Sequence, residues 1–381
     1  MSEPRRQTPL ASLLLERIRR QGPLPFADYM RECLYHPLHG YYSRAEAQRF
    51  SDYYTSVDVH PIFGRLLVRQ LAEMREQMGR PETFCVVEPG AGVGRLAGHI
   101  LDFAETRLPE LYAALRYVAV ERSKARREQA AARLARHVAA GRCEVALEIP
   151  ARIPQGCLLS NELLDALPVH RVVMQSGALQ EIFVTERGGN LAEELAPLST
   201  CAIAEYFAAL GAQLREGQQA EAGLEACDWI TETGRRIERG FLLTADYGHA
   251  AAELCDERHM RGTLLAYEKH RASEDYYAAP GEQDLTAHVN FTALEQWGER
   301  TGLARAGRVS QTEFLLALGR GNDFEDLYEP GASETERVRA RLLLKNLIFP
   351  EGMGERFSVL IQQKGVPGAK LTGLAGISGP R

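Results

Sequence analysis

The chain has 381 residues, of which 45% are hydrophobic and 25% are charged, the balance of an ordinary globular protein. Its formal net charge of −6 at pH 7 argues against a nucleic-acid partner, because proteins that bind nucleic acids usually carry a basic excess. The 7 cysteines are scattered without C-x-x-C spacing, so we expect neither a disulfide framework nor a bound metal.

Residues 1–80 are predicted to form a helical region with connecting loops. Thr8 is suited to the N-cap of the first helix and Pro9 to its first turn, and further helices are predicted over "FADYMRECLY" and "IFGRLLVRQLAEMREQM". The N-terminus lacks the apolar core of a secretory signal, and no apolar run reaches the roughly 18 residues of a membrane span. We therefore expect a cytoplasmic protein without membrane insertion.

Short apolar runs alternate with predicted helices over most of the remaining chain. These runs are "TFCVVEPG", "LRYVAVERS", "GCLLSNELL", "RVVMQ", "LQEIFVTE", "GFLLTADYG" and "RFSVLIQQKG". Buried parallel strands have this pattern because helices cover both faces of their sheet. Right-handed connections between such strands predict an α/β fold with a doubly wound, mostly parallel sheet.

Two segments interrupt this alternation. Residues 191–235 are rich in Ala, Glu, Gln and Leu and are predicted to be an inserted helical piece. Residues 250–290 are polar, aromatic and irregular, which predicts a long loop of the kind that is usually functional. The predicted organisation is therefore a helical region over 1–80, a core over 81–365 with these two insertions, and a disordered tail over 366–381.

The stretch "VVEPGAGVGRLA" predicts a strand, a glycine turn and a helix. Gly90 and Gly92 lack a Cβ, so the backbone can approach a ligand closely, and the helix N-terminus offers free N–H groups. A phosphate-binding loop would need Lys-Ser or Lys-Thr where Arg95 and Leu96 stand. The spacing G-x-G-x-G also differs from the G-x-G-x-x-G of dinucleotide-binding loops, although that difference alone is weak.

Acidic residues near the turn favour a positively charged ligand. Glu88 precedes the glycines, where a carboxylate suits the sulfonium or ammonium group of S-adenosylmethionine (SAM) better than a pyrophosphate. Glu121 ends the next predicted strand, where it can accept hydrogen bonds from both ribose hydroxyls, a feature shared with NAD-binding proteins. Glu148 is either a contact of the adenine amino group or an exposed loop carboxylate. The residues predicted to bind SAM around the turn are Glu88, Pro89, Gly90, Ala91, Gly92, Gly94, Glu121, Arg122 and Glu148.

Several longer motifs occur in a distinctive order. They are "GPLPFADYMRECLYHPLHGYYS", "DYYTSVDVHPIFGRLL", "VVEPGAGVGRLA", "LLSNELLDALPVHRV", "LLTADYGH" and "PGEQDLTAHVNF". In these motifs the chain closely resembles the MidA-like family of SAM-dependent methyltransferases, from about Gly22 to Gln363. The resemblance implies a class I methyltransferase fold with an inserted cap over the substrate, and SAM as methyl donor with S-adenosyl-L-homocysteine as product. Mitochondrial members are linked to complex I assembly and to arginine methylation, so it also implies a protein substrate that presents an arginine.

Residues at strand ends are the candidates for catalysis. Asn161 and Glu162 end the fourth predicted strand, where their oxygens can hold an amine or guanidinium beside the methyl donor. Asp165 either assists them or caps a short helix, and the two histidines of the set are either proton acceptors or structural residues. The predicted catalytic residues are Asn161, Glu162, Asp165, Asp246, His249, Asp284 and His288. The other predicted SAM contacts are Tyr54, Thr55, Ser56, Asn161 and Glu162.

Other functions stay open on the sequence alone. The insertions would also suit an assembly or chaperone-like protein that uses a methyltransferase fold to bind a partner. A small-molecule methyltransferase has the same cofactor motifs, and an NAD-dependent oxidoreductase shares the βαβ pattern. The sequence does not indicate the oligomeric state.

Overall fold

The computed structural model describes most of the chain as two compact units. The described residues are 6–43, 60–269, 271–328, 331–348 and 357–376. Unit 1 comprises residues 1–53, 164–230 and 248–297, and unit 2 comprises residues 54–163, 231–247 and 298–381. Within the described ranges, no helix combines the length and apolar character that a membrane crossing requires.

The helices and strands follow one another in the chain with short connections. The helices are α1 (Pro9–Gln21), α2 (Phe26–Tyr35), α3 (Ile62–Gln77), α4 (Arg95–Arg107), α5 (Pro109–Ala114), α6 (Lys124–Arg133), α7 (Ala135–Ala139), α8 (Cys201–Ala209), α9 (Leu224–Arg236), α10 (Ala251–Leu254), α11 (Phe291–Glu299), α12 (Gln311–Arg320) and α13 (Glu334–Ile348). The strands are β1 (Leu24–Pro25), β2 (Phe84–Pro89), β3 (Leu115–Val120), β4 (Cys143–Ala146), β5 (Gly156–Asn161), β6 (His170–Gln175), β7 (Ala178–Arg187), β8 (Asn190–Ala196), β9 (Gln219–Ala222), β10 (Gly240–His249), β11 (Leu265–Glu268), β12 (Arg271–Ser273), β13 (Asp284–Thr286), β14 (Val289–Asn290), β15 (Ala304–Ser310) and β16 (Phe357–Lys364).

Unit 2 contains the predicted doubly wound sheet. Its strands follow the order β4-β3-β2-β5-β10-β16-β15. The pairs from β4 to β10 are parallel, and β16 runs antiparallel to both of its neighbours. The prediction of a mostly parallel α/β sheet is confirmed, because these strands are apolar on both faces and are buried against helices.

The strand order reverses between β2 and β5. The chain leaves β2 to build β3 and β4 on one side, and it returns to build β5 and β10 on the other side. Ligands of such sheets bind beyond the carboxyl ends of the strands at this switch point. Here the carboxyl ends are Pro89 of β2 and Asn161 of β5, so the sheet topology places the glycine turn and the Asn161–Glu162 pair at the same position.

Unit 1 contains antiparallel sheets instead. The runs "RVVMQ" and "LQEIFVTE" were predicted to be parallel strands, but they form the antiparallel pair β6 and β7 within a 5-stranded sheet. Only Ser176 and Gly177 separate these strands, both with positive φ (+54° and +75°), as in a type I′ hairpin turn. A parallel connection needs a dozen or more residues, so this loop is too short for one.

The two insertions contain more regular structure than the sequence predicted. Residues 191–235, predicted to be helical, include most of β8 and all of β9 as well as α8 and part of α9. Residues 250–290, predicted to be a loop, contain α10 and a 3-stranded sheet of order β12-β11-β13. That sheet forms because Ala266 and Leu285 are paired across β11 and β13 and are buried, while neighbouring residues of both strands are polar.

The C-terminal segment is ordered as far as it is described. Residues 366–376 were predicted to be disordered, but Val366 and Leu371 are buried in the core of unit 2. The backbone N–H groups of Thr372 and Gly373 donate to side chains of α3, at 2.8 Å and 3.0 Å. Burial of two apolar side chains and these hydrogen bonds compensate the entropy cost of ordering the segment. Residues 377–381 lie outside the described ranges.

Candidate active site

The glycine turn combines tight packing with an open side. Gly90, Gly92 and Gly94 have φ of +74°, +57° and +75°, a region that favours glycine. A Cβ on Gly90 would lie 3.0 Å from Cδ1 of Leu163, whereas no described atom lies within 4 Å of a Cβ on Gly92. The turn therefore packs against the segment that follows β5, and the backbone at Gly92 is accessible to a ligand. Helix α4 begins immediately afterwards at Arg95.

Glu121 holds the glycine turn in place. Its carboxylate is buried and accepts hydrogen bonds from the N–H of Gly92 at 3.0 Å and the N–H of Ser123 at 2.8 Å. The guanidinium of Arg126 lies 3.8 Å from the same carboxylate. The structure thus brings together the two sequence features that predicted SAM binding, the glycines and the acid after β3.

Glu88 is buried below the turn. Its Oε2 accepts a hydrogen bond from the hydroxyl of Tyr117 at 2.7 Å. Burial raises the pKa of Glu88 to about 7; the Tyr117 hydrogen bond opposes this shift and the charge of Glu121 adds to it. The negative charge that the sequence suggested for a positively charged ligand is therefore only partly developed at neutral pH. A cation bound nearby would favour the ionised form.

Asn161 and Glu162 have the features of a binding position at the end of β5. The amide of Asn161 donates to Oε1 of Glu162 at 3.2 Å, while its buried Oδ1 has no hydrogen-bond partner among the described residues. Glu162 has φ of +47°, which non-glycine residues rarely adopt and which is concentrated at functional sites. An unpaired buried acceptor and a strained carboxylate-bearing residue both indicate that a ligand completes this position.

Asp246 lies in β10 next to this pair and is fully buried. Its Oδ2 accepts a hydrogen bond from the N–H of Leu163 at 3.1 Å, and its Oδ1 accepts one from the N–H of Tyr247 at 2.9 Å. The carboxylate is thus directed towards the backbone of the segment after β5.

The remaining catalytic candidates belong to unit 1. Asp284 lies in β13, not in a loop, and its Oδ1 accepts a hydrogen bond from the hydroxyl of Tyr42 at 2.9 Å. Asp165 is buried in a turn, and no helix follows it before β6, so the expected helix cap is not formed. Burial raises the pKa of Tyr42 well above its usual value, and the charges of Asp284 and Asp165 act in the same direction.

The two candidate histidines lie close together in unit 1. The ring centroids of His249 and His288 are 5.3 Å apart. Nδ1 of His249 lies 3.4 Å from Oε2 of Glu253, and the backbone N–H of His288 donates to Oγ1 of Thr263 at 3.0 Å. Their predicted role as proton acceptors stays a prediction.

Other candidates have less structural definition. Tyr54, Thr55 and Ser56 lie outside the described residues. Arg122 and Glu148 have exposed side chains, whereas Pro89 and Ala91 are buried within the glycine turn. In the described parts of the chain, no group of three or more His, Cys, Asp or Glu side chains is arranged to hold a metal ion.

Two contributors were not identified from the sequence. Tyr117 pairs with Glu88, and Leu163 contacts the glycine turn. The alternation of β3 could have indicated Tyr117, because it lies beside Val86 in the strand register and so on the same face of the sheet as Glu88. Nothing in the local sequence marks Leu163, whose contact depends on the adjacency of β2 and β5.

Comparison with known proteins identifies a matching family model. It is described as "Putative S-adenosyl-L-methionine-dependent methyltransferase" and matches residues 66–309. The chain is also similar to solved structures from Burkholderia thailandensis. One superfamily member, bound to S-adenosyl-homocysteine, has a TM-score of 0.83 and 30% identity over 98% of this chain and 95% of that one.

Curated relatives are similar over nearly the whole chain. The protein named "Protein arginine methyltransferase NDUFAF7 homolog, mitochondrial" of Drosophila melanogaster is 29% identical over 95% of this chain and 86% of the relative. The protein named "Protein arginine methyltransferase NDUFAF7, mitochondrial" of Homo sapiens is 29% identical over 92% of this chain and 82% of its own.

Proposed function

The chain belongs to the S-adenosyl-L-methionine-dependent methyltransferase family, and from this premise we propose that its methyl acceptor is an arginine side chain of a protein. The enzyme class and the cofactor SAM follow from the family. The acceptor is supported by the names of the curated relatives and by one observation on this chain. That observation is the strained Glu162 beside the unpaired Oδ1 of Asn161, at the carboxyl end of β5.

The residues around the glycine turn suit the cofactor. When bound, SAM supplies an electrophilic methyl group on a sulfonium sulfur. Gly92 offers an accessible backbone, and Glu121, which already fixes Gly92, is placed to receive the ribose hydroxyls. Glu88 provides a buried carboxyl whose ionised form is stabilised by a nearby positive charge.

Glu162 and Asn161 suit a guanidinium acceptor. A carboxylate can pair with one side of the guanidinium plane and localise positive charge there, which leaves the opposite nitrogen more nucleophilic. The unpaired Oδ1 of Asn161 adds a second acceptor for the N–H groups. Both residues would thereby hold the acceptor nitrogen in a fixed orientation, and orientation can supply much of the rate of such a transfer.

The acceptor is tested by methylation of a protein mixture. Purified protein is incubated with radiolabelled SAM and lysate, and labelled proteins are digested and analysed by mass spectrometry. We expect methylated arginine, and a loss of labelling of roughly 100-fold or more for Glu162→Gln, which keeps the shape but removes the charge. Glu144→Gln, a substitution of an exposed acid on β4, is the matched control and should label like the wild type.

The outcome that contradicts the proposal is equally specific. Label confined to lysine, to another residue type or to small molecules would exclude a protein arginine as the acceptor. The same holds if no protein is labelled although calorimetry confirms that SAM binds. We also propose that the client is a subunit of respiratory complex I or of its bacterial counterpart, for which enriched respiratory membranes replace the lysate.

A further inference from the structure

The side chain of Asp246 bridges two neighbouring strands of unit 2. Asp246 lies in β10, which pairs with β5 in parallel, with Ala245 opposite Asn161. The carboxylate is 0% exposed, and it binds one N–H of its own strand and one N–H of the segment that follows β5. It therefore connects the backbone of β10 to Leu163, the residue directly after Glu162.

The segment that Asp246 holds is strained. Glu162 has φ of +47°, and its own N–H donates to the carbonyl of Ala245 at 3.0 Å. The next N–H, that of Leu163, donates to Asp246. A non-glycine residue remains in this region of φ only where its surroundings over-determine the conformation. These two consecutive hydrogen bonds to β10 are such a constraint.

We propose that Asp246 is a positioning residue for methyl transfer, whose carboxylate keeps the segment Asn161–Leu163 in the conformation that presents Asn161 and Glu162 to the acceptor. This role rests on the proposed function only in that Glu162 faces the acceptor. It differs from the catalytic role that the sequence suggested, because a fully buried carboxylate that binds two backbone N–H groups does not contact the substrate.

The chemistry of the carboxylate explains why an aspartate occupies this position. Both of its oxygens accept, so it can satisfy Leu163 and Tyr247 together, and charge-assisted bonds to N–H groups are stronger than neutral ones. Asparagine has one acceptor oxygen, and its NH₂ group would face a backbone donor. Asp246→Asn should therefore release one of the two N–H groups without a change in side-chain size.

The kinetic test compares Asp246→Asn with Thr244→Val. Thr244 lies two residues earlier on the same face of β10, is 0% exposed, and its Oγ1 has no hydrogen-bond partner among the described residues. For Asp246→Asn we expect kcat to fall roughly 10- to 100-fold, because misplaced groups lose rate, with the SAM dissociation constant within about 3-fold of wild type. The acid limb of the pH–rate profile should keep its midpoint. Thr244→Val should retain the wild-type values.

Amide hydrogen exchange gives a readout that is independent of activity. We expect the Leu163 amide to exchange slowly in the wild type, faster in Asp246→Asn, and at the wild-type rate in Thr244→Val. A wild-type Leu163 amide that exchanges rapidly would overturn the inference, even if Asp246→Asn does not fold. So would a variant that loses activity together with the acid limb of its pH profile, since that would make Asp246 a reacting group. If the wild type methylates no protein, the proposed function fails, and the exchange rates still decide whether Asp246 holds the segment.

Discussion

At the scale of single residues, the site depends on buried acids with different environments. Glu88 is held by a single side-chain hydroxyl, and its pKa is raised to about 7. Glu121 and Asp246 are equally buried, but each accepts two backbone N–H groups. Hydrogen bonds from the backbone stabilise the charged form of a carboxylate, so these acids have different tasks although their residue types are alike.

The raised pKa of Glu88 predicts that its ionisation opposes folding. The unfolded chain releases this proton near pH 4.5 and the folded chain near pH 7, so stability falls as the pH rises between these values. A shift of this size corresponds to about 3 kcal/mol. We expect Glu88→Gln, measured by urea unfolding, to be more stable than the wild type by up to about that amount at pH 8 and to gain nothing at pH 4.

The exposed substitution Glu144→Gln serves as the control for this pH series, and its unfolding curves should follow the wild type at both pH values. An equal effect of Glu88→Gln at pH 4 and pH 8 would show that Glu88 does not titrate as described. The same variant should bind SAM more weakly, because glutamine cannot develop the negative charge that a sulfonium favours.

At the scale of elements, short glycine turns decide which strands pair. Ser176 and Gly177 connect β6 to β7, and Gly188 and Gly189 connect β7 to β8. All four residues have positive φ, so both connections are two-residue turns between antiparallel strands. These hairpins explain why a segment with helix-forming composition contains β8, since the turn brings residues 190–196 beside β7 before a helix can form.

The first hairpin predicts a specific cost for a small substitution. Gly177 has φ of +75° and no described atom lies within 4 Å of the position of its Cβ, so Gly177→Ala is strained only in its backbone. We expect a loss of about 1–2 kcal/mol in the free energy of unfolding. Gly223→Ala is the control, because Gly223 is outside the left-handed region and its Cβ would meet only Ala226, at 3.8 Å. Equal losses for both variants would contradict the turn assignment.

At the scale of the whole molecule, each unit is assembled from separate parts of the chain. Unit 2 takes its sheet from segments between residues 84 and 364, and residues 366–376 return to α3. Unit 1 likewise combines the N-terminal helices with residues 164–230 and 248–297. A continuous reading of the sequence cannot separate these units, because their boundaries depend on contacts between distant segments.

The C-terminal segment predicts a measurable contribution to unit 2. Truncation after Gly365 removes the buried side chains of Val366 and Leu371 and the hydrogen bonds to Glu73 and Gln70. Since burial of one such side chain stabilises by about 1.5–3 kcal/mol, we expect a loss of roughly 3–6 kcal/mol in urea unfolding. Leu371→Ala alone should lose about 2–4 kcal/mol. A truncated chain with the wild-type unfolding midpoint would contradict this packing.

The sequence by itself determined the parallel sheet, the glycine turn and the strand-end residues of the candidate site. These features depend on local patterns: buried apolar runs, glycines that permit positive φ, and acids directly after a strand. It also gave α1, whose N-cap Thr8 accepts a hydrogen bond from the N–H of Ala11 at 3.0 Å.

Only the tertiary structure decided what those residues do to one another. The raised pKa of Glu88 requires Tyr117 and burial, and the strain at Glu162 requires β10 beside β5. The antiparallel sheet of unit 1 and the ordered C-terminal segment also depend on partners far away in the chain. Such contacts are non-local, so their energies are not contained in the composition or periodicity of any short segment.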